Sequence, residues 1–194
     1  MTVYLKYLPN TITICRIVAL IPLVWLMWHK DYKMALVVAF FAGLSDGLDG
    51  YLAKKYNWQG WLGGILDPLA DKLMMFSCYT VFVIQDVIPW WLYLLIVSRD
   101  VVIIAGASYY HFRIGKIKKA MPTLVSKLNT VLQILLILVL LLSYSEIYDL
   151  LAASQVLMYA VGFLTLISGL HYVWVGLRMS KAHKNLEFSQ DDAK

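Results

Sequence analysis

The sequence predicts an all-α polytopic membrane protein, with six transmembrane helices in one bundle and both termini cytoplasmic. Three observations predict it. Of the 194 residues, 61% are hydrophobic and 15% are charged, and the mean hydropathy is +0.69, whereas soluble domains are about 45–50% apolar and about 25% charged. The apolar residues gather into six runs, each long enough to cross the hydrocarbon layer as a helix. Finally, Lys and Arg concentrate in alternate connecting segments, the signature of a fixed orientation. A soluble fold is excluded. With few charges left to line a groove, the net charge of +5 points to a basic membrane face rather than to nucleic acid.

Taken in order, the runs are Thr11 to Trp28, Met34 to Ala53, Leu66 to Gln85, Val87 to Phe112, Leu124 to Ser143 and Gln155 to Leu177. The first lacks a basic leader and a small-residue cleavage site, so it reads as a retained helix. Asn10 is placed to cap it, after a short amphipathic stretch from Val3 to Leu8. The second run carries Asp46 and Asp49 near its end, and the third carries Asp67 and Asp71 near its start. Arg99 and Asp100 sit in the fourth, and Lys127 opens the fifth. Pro22 and Pro89 bend or bound helices.

Eleven of the 17 basic residues fall on the N-terminal stretch, the second-to-third and fourth-to-fifth loops and the C-terminal tail. The opposite loops hold only Lys30 and Lys33, beside Asp31, Asp86, Glu146 and Asp149. That bias sets the cytoplasmic side. Trp25, Trp28, Trp90 and Trp91 mark the opposite interface as an aromatic belt. Residues 1–179 form one membrane domain, and residues 180–194 form a polar, disordered cytoplasmic tail. Cys15 and Cys78 lie in apolar runs and read as small packing residues.

Nine charges lie inside or at the edges of the runs: Asp46, Asp49, Asp67, Asp71, Asp100, Arg16, Lys72, Arg99 and Lys127. Each costs about 2.5–3.5 kcal/mol at a helix centre, so such a set marks a functional site by default. Asp46 and Asp49 are i, i+3 and Asp67 and Asp71 are i, i+4, so each pair shares a helix face. Counted from their cytoplasmic ends at ~1.5 Å per residue, both pairs fall about 6–12 Å deep. Four carboxylates in one layer need cations, and all-oxygen ligation suits Mg²⁺, Mn²⁺ or Ca²⁺. The alternative pairs the aspartates with Lys54, Lys72, Arg16 or Arg99 in structural ion pairs. Gly43, Gly47, Gly50 and Ala53, with Gly60, Gly63 and Gly64, open the backbone to a neighbouring helix or a flat ligand.

These residues read Asp46-x-x-Asp49-Gly50-x-x-Ala53-Lys54, then eight residues, then Gly63-x-x-x-Asp67-x-x-x-Asp71. The pattern resembles the signature of the CDP-alcohol phosphotransferase (phosphatidyltransferase) family, and its chance occurrence is on the order of 10⁻⁵. The resemblance extends to the six runs and to Leu8-Pro9-Asn10 followed by Arg16. It implies transfer of the phosphatidyl group of CDP-diacylglycerol to an alcohol with release of CMP, by a homodimeric bundle of the phosphatidylglycerophosphate synthase and membrane-bundle cardiolipin synthase branch. It also implies two Mg²⁺ or Mn²⁺ ions held by Asp46, Asp49, Asp67 and Asp71, with Asp71 as general base. Gly50, Ala53, Lys54 and Gly63 would receive the nucleotide and diphosphate. Lys54 stands where the family usually has Arg, which keeps the charge but loses the bidentate fork.

For the acceptor, Val97-Ser98-Arg99-Asp100 and Ser126-Lys127-Leu128-Asn129-Thr130 resemble segments of both members of that branch. Arg99, Lys127 and Arg113 are the candidate ligands of an anionic acceptor; the alternative for Arg99 is a mutual ion pair with Asp100. Glycerol 3-phosphate is the favoured acceptor on family frequency, and phosphatidylglycerol, used by cardiolipin synthase, is the alternative. A divalent-cation transporter is a distant third reading, disfavoured because its acids would sit near the midplane. The expected location is a bacterial inner membrane, with the active site open to the cytoplasm, among membrane lipids and without a nucleic-acid partner.

Overall fold

The computed structural model describes residues 8–55, 63–113 and 124–191, and within these only the backbone of residues 8–12, 46–55, 63–68, 107–113 and 175–191. The described chain is all-helical: α1 Leu8–Trp28, α2 Tyr32–Lys55, α3 Gly63–Ile84, α4 Trp90–Arg113, α5 Leu124–Tyr144 and α6 Leu151–Asp191. All six predicted helices are present. Among the described residues, α5 and the Leu151–Trp174 part of α6 are long and apolar enough to cross a membrane, and Thr13–Trp28 and Tyr32–Ser45 form shorter apolar stretches. Helices α3 and α4 are diluted by charges, including Asp71, Lys72, Arg99 and Asp100.

Two ends differ from the sequence expectation. Helix α1 begins at Leu8, so Asn10 lies in its first turn instead of capping it; Pro9 is tolerated there because first-turn amides need no helical acceptor. Helix α6 continues to Asp191, past the expected end near Leu177 and through most of the expected disordered tail. Residues 180–191 contain neither Gly nor Pro, and six of the twelve are Lys, Ala, Leu, Glu or Gln, which favour helix.

Helices α1 and α3 stop in the same way, and α5 also ends on a left-handed residue. Lys30, Asp86 and Glu146 adopt φ of 61°, 58° and 59°. The Asp31 amide donates to the Leu26 carbonyl at 2.9 Å and the Lys30 amide to Met27 at 3.0 Å. The Val87 amide donates to Phe82 at 2.9 Å and the Asp86 amide to Val83 at 3.2 Å. The ends of α1 and α3 are thus Schellman closures, which reverse the chain while satisfying the last carbonyls.

The chain divides into two compact units. The first comprises residues 1–89 and 133–156. There α1 packs against α2 and α3, with Leu23, Met27, Ala35, Tyr79, Phe82 and Leu140 buried. The Tyr79 hydroxyl donates to the Gln133 carbonyl at 2.8 Å, tying α3 to α5. Gln85 closes the end of α1, its Nε2 donating to the carbonyls of Met27 at 2.9 Å and Trp28 at 3.2 Å. Tyr32 in turn donates to Gln85 Oε1 at 2.5 Å. Carbonyls left open at a helix end in a poorly hydrated setting would each be costly, so this bridge both caps and cross-links.

The second unit comprises residues 90–132 and 157–194. Its packing of α4 on α6 is close at Gly162, where a Cβ would fall 2.7 Å from the Trp91 ring, and Trp91 stacks on Tyr159 with ring centroids 6.0 Å apart. Both units are apolar outside as well as inside. Ile21, Trp25, Phe40 and Phe41 in the first, and Leu94, Val101, Phe163 and Leu170 in the second, are exposed. Water penalises such surfaces, whereas lipid does not.

Candidate active site

The first unit carries the whole carboxylate motif. Helix α2 runs through Asp46 and Asp49 to Lys55, and α3 starts at Gly63 and runs through Asp67 and Asp71. Unbroken helix across both segments gives each aspartate pair the shared face expected from i, i+3 and i, i+4 spacing. The side chains of Asp46, Asp49, Gly50, Ala53, Lys54, Gly63 and Asp67 lie outside the described residues.

Asp71 is described, and one of its partners is Arg16 of α1. Arg16 Nη1 donates to Asp71 Oδ1 at 3.1 Å across 55 residues of sequence. The pair is lopsided: the Arg16 side chain is 1% exposed and that of Asp71 is 51% exposed. The guanidinium is thus packed within the first unit while the carboxylate keeps an open face. Sequence reasoning counted Arg16 both among the anomalous charges and among possible partners of the aspartates, and that pairing is present.

The donor set fits a hard divalent cation by chemistry, since it consists of carboxylate oxygens with no clustered thiol or imidazole, and Asp71 presents an accessible carboxylate. Among the described residues no group of three or more His, Cys, Asp or Glu gathers, but only Asp71 of the four motif aspartates has a described side chain. Farther along α2, Gly43 borders an apolar cavity of about 260 Å³ lined by residues including Leu23, Phe40, Met74, Cys78 and Leu138. A Cβ at Gly43 would meet nothing within 4 Å. Among the described residues Gly43 therefore opens onto space.

The second unit holds the residues expected to meet an anionic acceptor. Arg99 is 4% exposed. Its Nη1 donates to Asp100 Oδ1 at 2.7 Å, its Nη2 to Ser168 Oγ at 3.2 Å and also to Ser126 Oγ. The Arg99–Asp100 ion pair set out as an alternative is therefore present. One turn along α5 and α6, the Thr165 hydroxyl donates to Asn129 Oδ1 at 3.0 Å, with Asn129 fully buried. Ser126, Asn129, Thr165 and Ser168 thus make a polar seam beside Arg99. The sequence pointed to Arg99 and to the Ser126–Thr130 segment but not to this seam; Ser126 and Asn129 at i, i+3, and Thr165 and Ser168 at i, i+3, are its signal. Lys127 is exposed, and the Arg113 side chain lies outside the described residues.

Comparison with known proteins agrees with this chemistry. Residues 6–167 match the family model of CDP-alcohol phosphatidyltransferases. The chain is 34% identical over 145 residues to human cardiolipin synthase (CMP-forming), covering 67% of this chain and 48% of that protein. It is 34% identical to a Schizosaccharomyces pombe cardiolipin synthase (CMP-forming)/mitochondrial hydrolase fusion protein, covering 85% of this chain and 30% of that one. It is also 31% identical to the CDP-diacylglycerol–glycerol-3-phosphate 3-phosphatidyltransferase of Rickettsia typhi, covering 87% of this chain and 96% of that one. The chain thus spans half or less of the two cardiolipin synthase relatives and nearly all of the rickettsial one.

Proposed function

The chain belongs to the CDP-alcohol phosphatidyltransferase family, and from that premise we propose that it transfers the phosphatidyl group of CDP-diacylglycerol to glycerol 3-phosphate and releases CMP. The observation that carries the reading is the intact four-aspartate motif on two continuous helices, with its last member, Asp71, open to its surroundings. Members of this family are membrane enzymes that depend on divalent cations. Here two Mg²⁺ or Mn²⁺ ions would be held by Asp46, Asp49, Asp67 and Asp71, and when bound they supply charge neutralisation at the diphosphate. Asp71 takes the proton of the acceptor hydroxyl. The freed oxygen bonds to the lipid-side phosphorus, and the bond from that phosphorus to CMP breaks. Gly50, Ala53 and Gly63 give the cytidine close access to backbone, and Lys54 faces the diphosphate as a point charge.

Arg99, Lys127 and Arg113 are assigned to the acceptor's phosphate. Two of the three described partners of Arg99 are serine hydroxyls, neutral groups that a phosphate can displace. Glycerol 3-phosphate is favoured as acceptor because the rickettsial relative matches over nearly its full length. A second reading, a cardiolipin synthase using phosphatidylglycerol, is favoured by the identity to the human protein and by Ser126-Lys127-Leu128-Asn129-Thr130. Six spans are supported by exposed apolar residues on every helix. The Lys and Arg bias supports cytoplasmic termini and a cytoplasm-facing site, and the rickettsial relative supports a bacterial inner membrane, with residues 180–194 as a cytoplasmic extension of a homodimeric bundle.

Purified protein given CDP-diacylglycerol and Mg²⁺ or Mn²⁺ should release CMP with glycerol 3-phosphate, and chelation by EDTA should stop it reversibly. Phosphatidylglycerol supplied in parallel separates the two acceptors. Asp67→Asn and Asp71→Asn should each abolish turnover; full activity in both variants would overturn the reading.

A further inference from the structure

We infer that an apolar groove along α2 and α5 holds one acyl chain of the lipid donor, and that Gly43 is a specificity-determining residue for that chain. The inference rests on the reading of the protein as a transferase acting on CDP-diacylglycerol. Two cavities of the first unit carry it. The one bordered by Gly43, about 260 Å³, and another of about 400 Å³ are both walled by Phe40 and Leu138, so they adjoin. Together they follow α2 from Gly43 to Leu36 and α5 from Ile134 to Leu142, about 10 Å of helix rise. The residues lining them are apolar. Leu23, Cys78 and Ile137 are buried at the floor, whereas Phe40, Leu44 and Ile134 are exposed. The groove is thus closed inward and open sideways, which suits a chain entering from a bilayer. Its Gly43 end lies three residues before Asp46 on the same helix, about 4.5 Å of rise, and its other end points away from the motif. A donor whose diphosphate is held at the aspartates therefore has its tails starting at the Gly43 end. Moving a chain from lipid into the groove releases no hydrophobic free energy, because lipid tails are as apolar as the lining. What the groove supplies is packing contact and a fixed direction for the donor, and orientation at the reacting phosphorus is what raises the rate. Glycine is a poor residue for a helix interior. Among the described residues nothing lies within 4 Å of a Cβ placed at Gly43, so the volume a side chain would take is left to the entrance of the groove.

The test compares wild type, Gly43→Leu and Gly106→Leu in detergent micelles, by CMP release from CDP-dipalmitoylglycerol and from CDP-dihexanoylglycerol, whose tails are too short to run along the groove. The quantity read is the ratio of kcat/KM for the long donor to that for the short one. Gly43→Leu should lower this ratio about tenfold, because its side chain fills the entrance. Its unfolding midpoint should not fall, since leucine is the better helix former and meets open space. Gly106 of α4, where a Cβ also meets nothing within 4 Å among the described residues, is the matched control, and Gly106→Leu should leave the ratio unchanged. A readout independent of turnover is a CDP-diacylglycerol with a diazirine near the end of one chain. It should label residues 36–43 or 134–142 of the wild type, with unlabelled CDP-dipalmitoylglycerol competing and an equal amount of phosphatidylcholine not competing. An unchanged ratio in Gly43→Leu overturns the inference, as does an equal fall in Gly106→Leu. Label found only outside those residues also overturns it, and so does label that phosphatidylcholine removes equally well, which marks a site for bulk lipid. Absence of CMP release by the wild type with either acceptor and either donor overturns the proposed function itself; an active wild type with any of the preceding four outcomes overturns this inference alone.

Discussion

Arg99 shows what a single buried cation does in the second unit. Its guanidinium reaches one carboxylate and two hydroxyls from three helices, so a planar head with several fixed donors is what the position uses. Lysine keeps the charge and loses the fork. Hydrogen bonds to charged groups are worth about 1.5–3 kcal/mol, so Arg99→Lys should raise the KM for the anionic acceptor by about tenfold or more while leaving the KM for CDP-diacylglycerol unchanged. Steady-state kinetics with each substrate varied in turn checks this. The residue was legible in the sequence as an intramembrane cation beside Asp100. Its pairing with serines was not, because Ser126 and Ser168 lie 27 and 69 residues away and their spacing within a helix does not say which cation they meet.

At the scale of elements, existence and type were legible and ends were less so. Six apolar runs became six helices because period, length and apolar content are local properties of the chain. Three helix ends, at Lys30, Asp86 and Glu146, close in the left-handed region without glycine, so the usual marker of such an end was absent. A left-handed residue with a Cβ costs about 1–2 kcal/mol, and glycine gives part of that back through its larger unfolded-state entropy. Asp86→Gly should therefore raise stability by up to about 1 kcal/mol, measured as an upward shift of the unfolding midpoint in detergent, with turnover unaffected. The run of α6 to Asp191 has a similar explanation: polarity suggested a disordered tail, while intrinsic propensity, in the absence of Gly and Pro, favoured continuing the helix.

For the whole molecule, the proposed orientation rests on where the basic residues lie, and it can be tested without reference to activity. In a background with Cys15 and Cys78 replaced by serine or alanine, Asp149→Cys should react with a membrane-impermeant thiol reagent added outside intact cells. Gln190→Cys should react only after permeabilisation. The reverse pattern would invert the topology and place the aspartate motif on the far side from the cytoplasm.

The sequence by itself determined the helices and the family motif from which the site's chemistry is proposed. Helical geometry turns the spacings 46/49 and 67/71 into shared faces without reference to any other element, and four carboxylates among so few charges are the basis on which hard-cation, phosphoryl-type chemistry is proposed. Tertiary structure alone decided which charge answers which. Arg16 meets Asp71 across 55 residues, and Gln85 closes α1 across 58 and 57. Arg16, Lys54, Lys72 and Arg99 were all admissible partners for the aspartates by charge. Among the described residues, the packing of α1 against α3 brings Arg16 to Asp71, because ion pairing acts over a few ångströms and depends on which helices are neighbours rather than on separation along the chain.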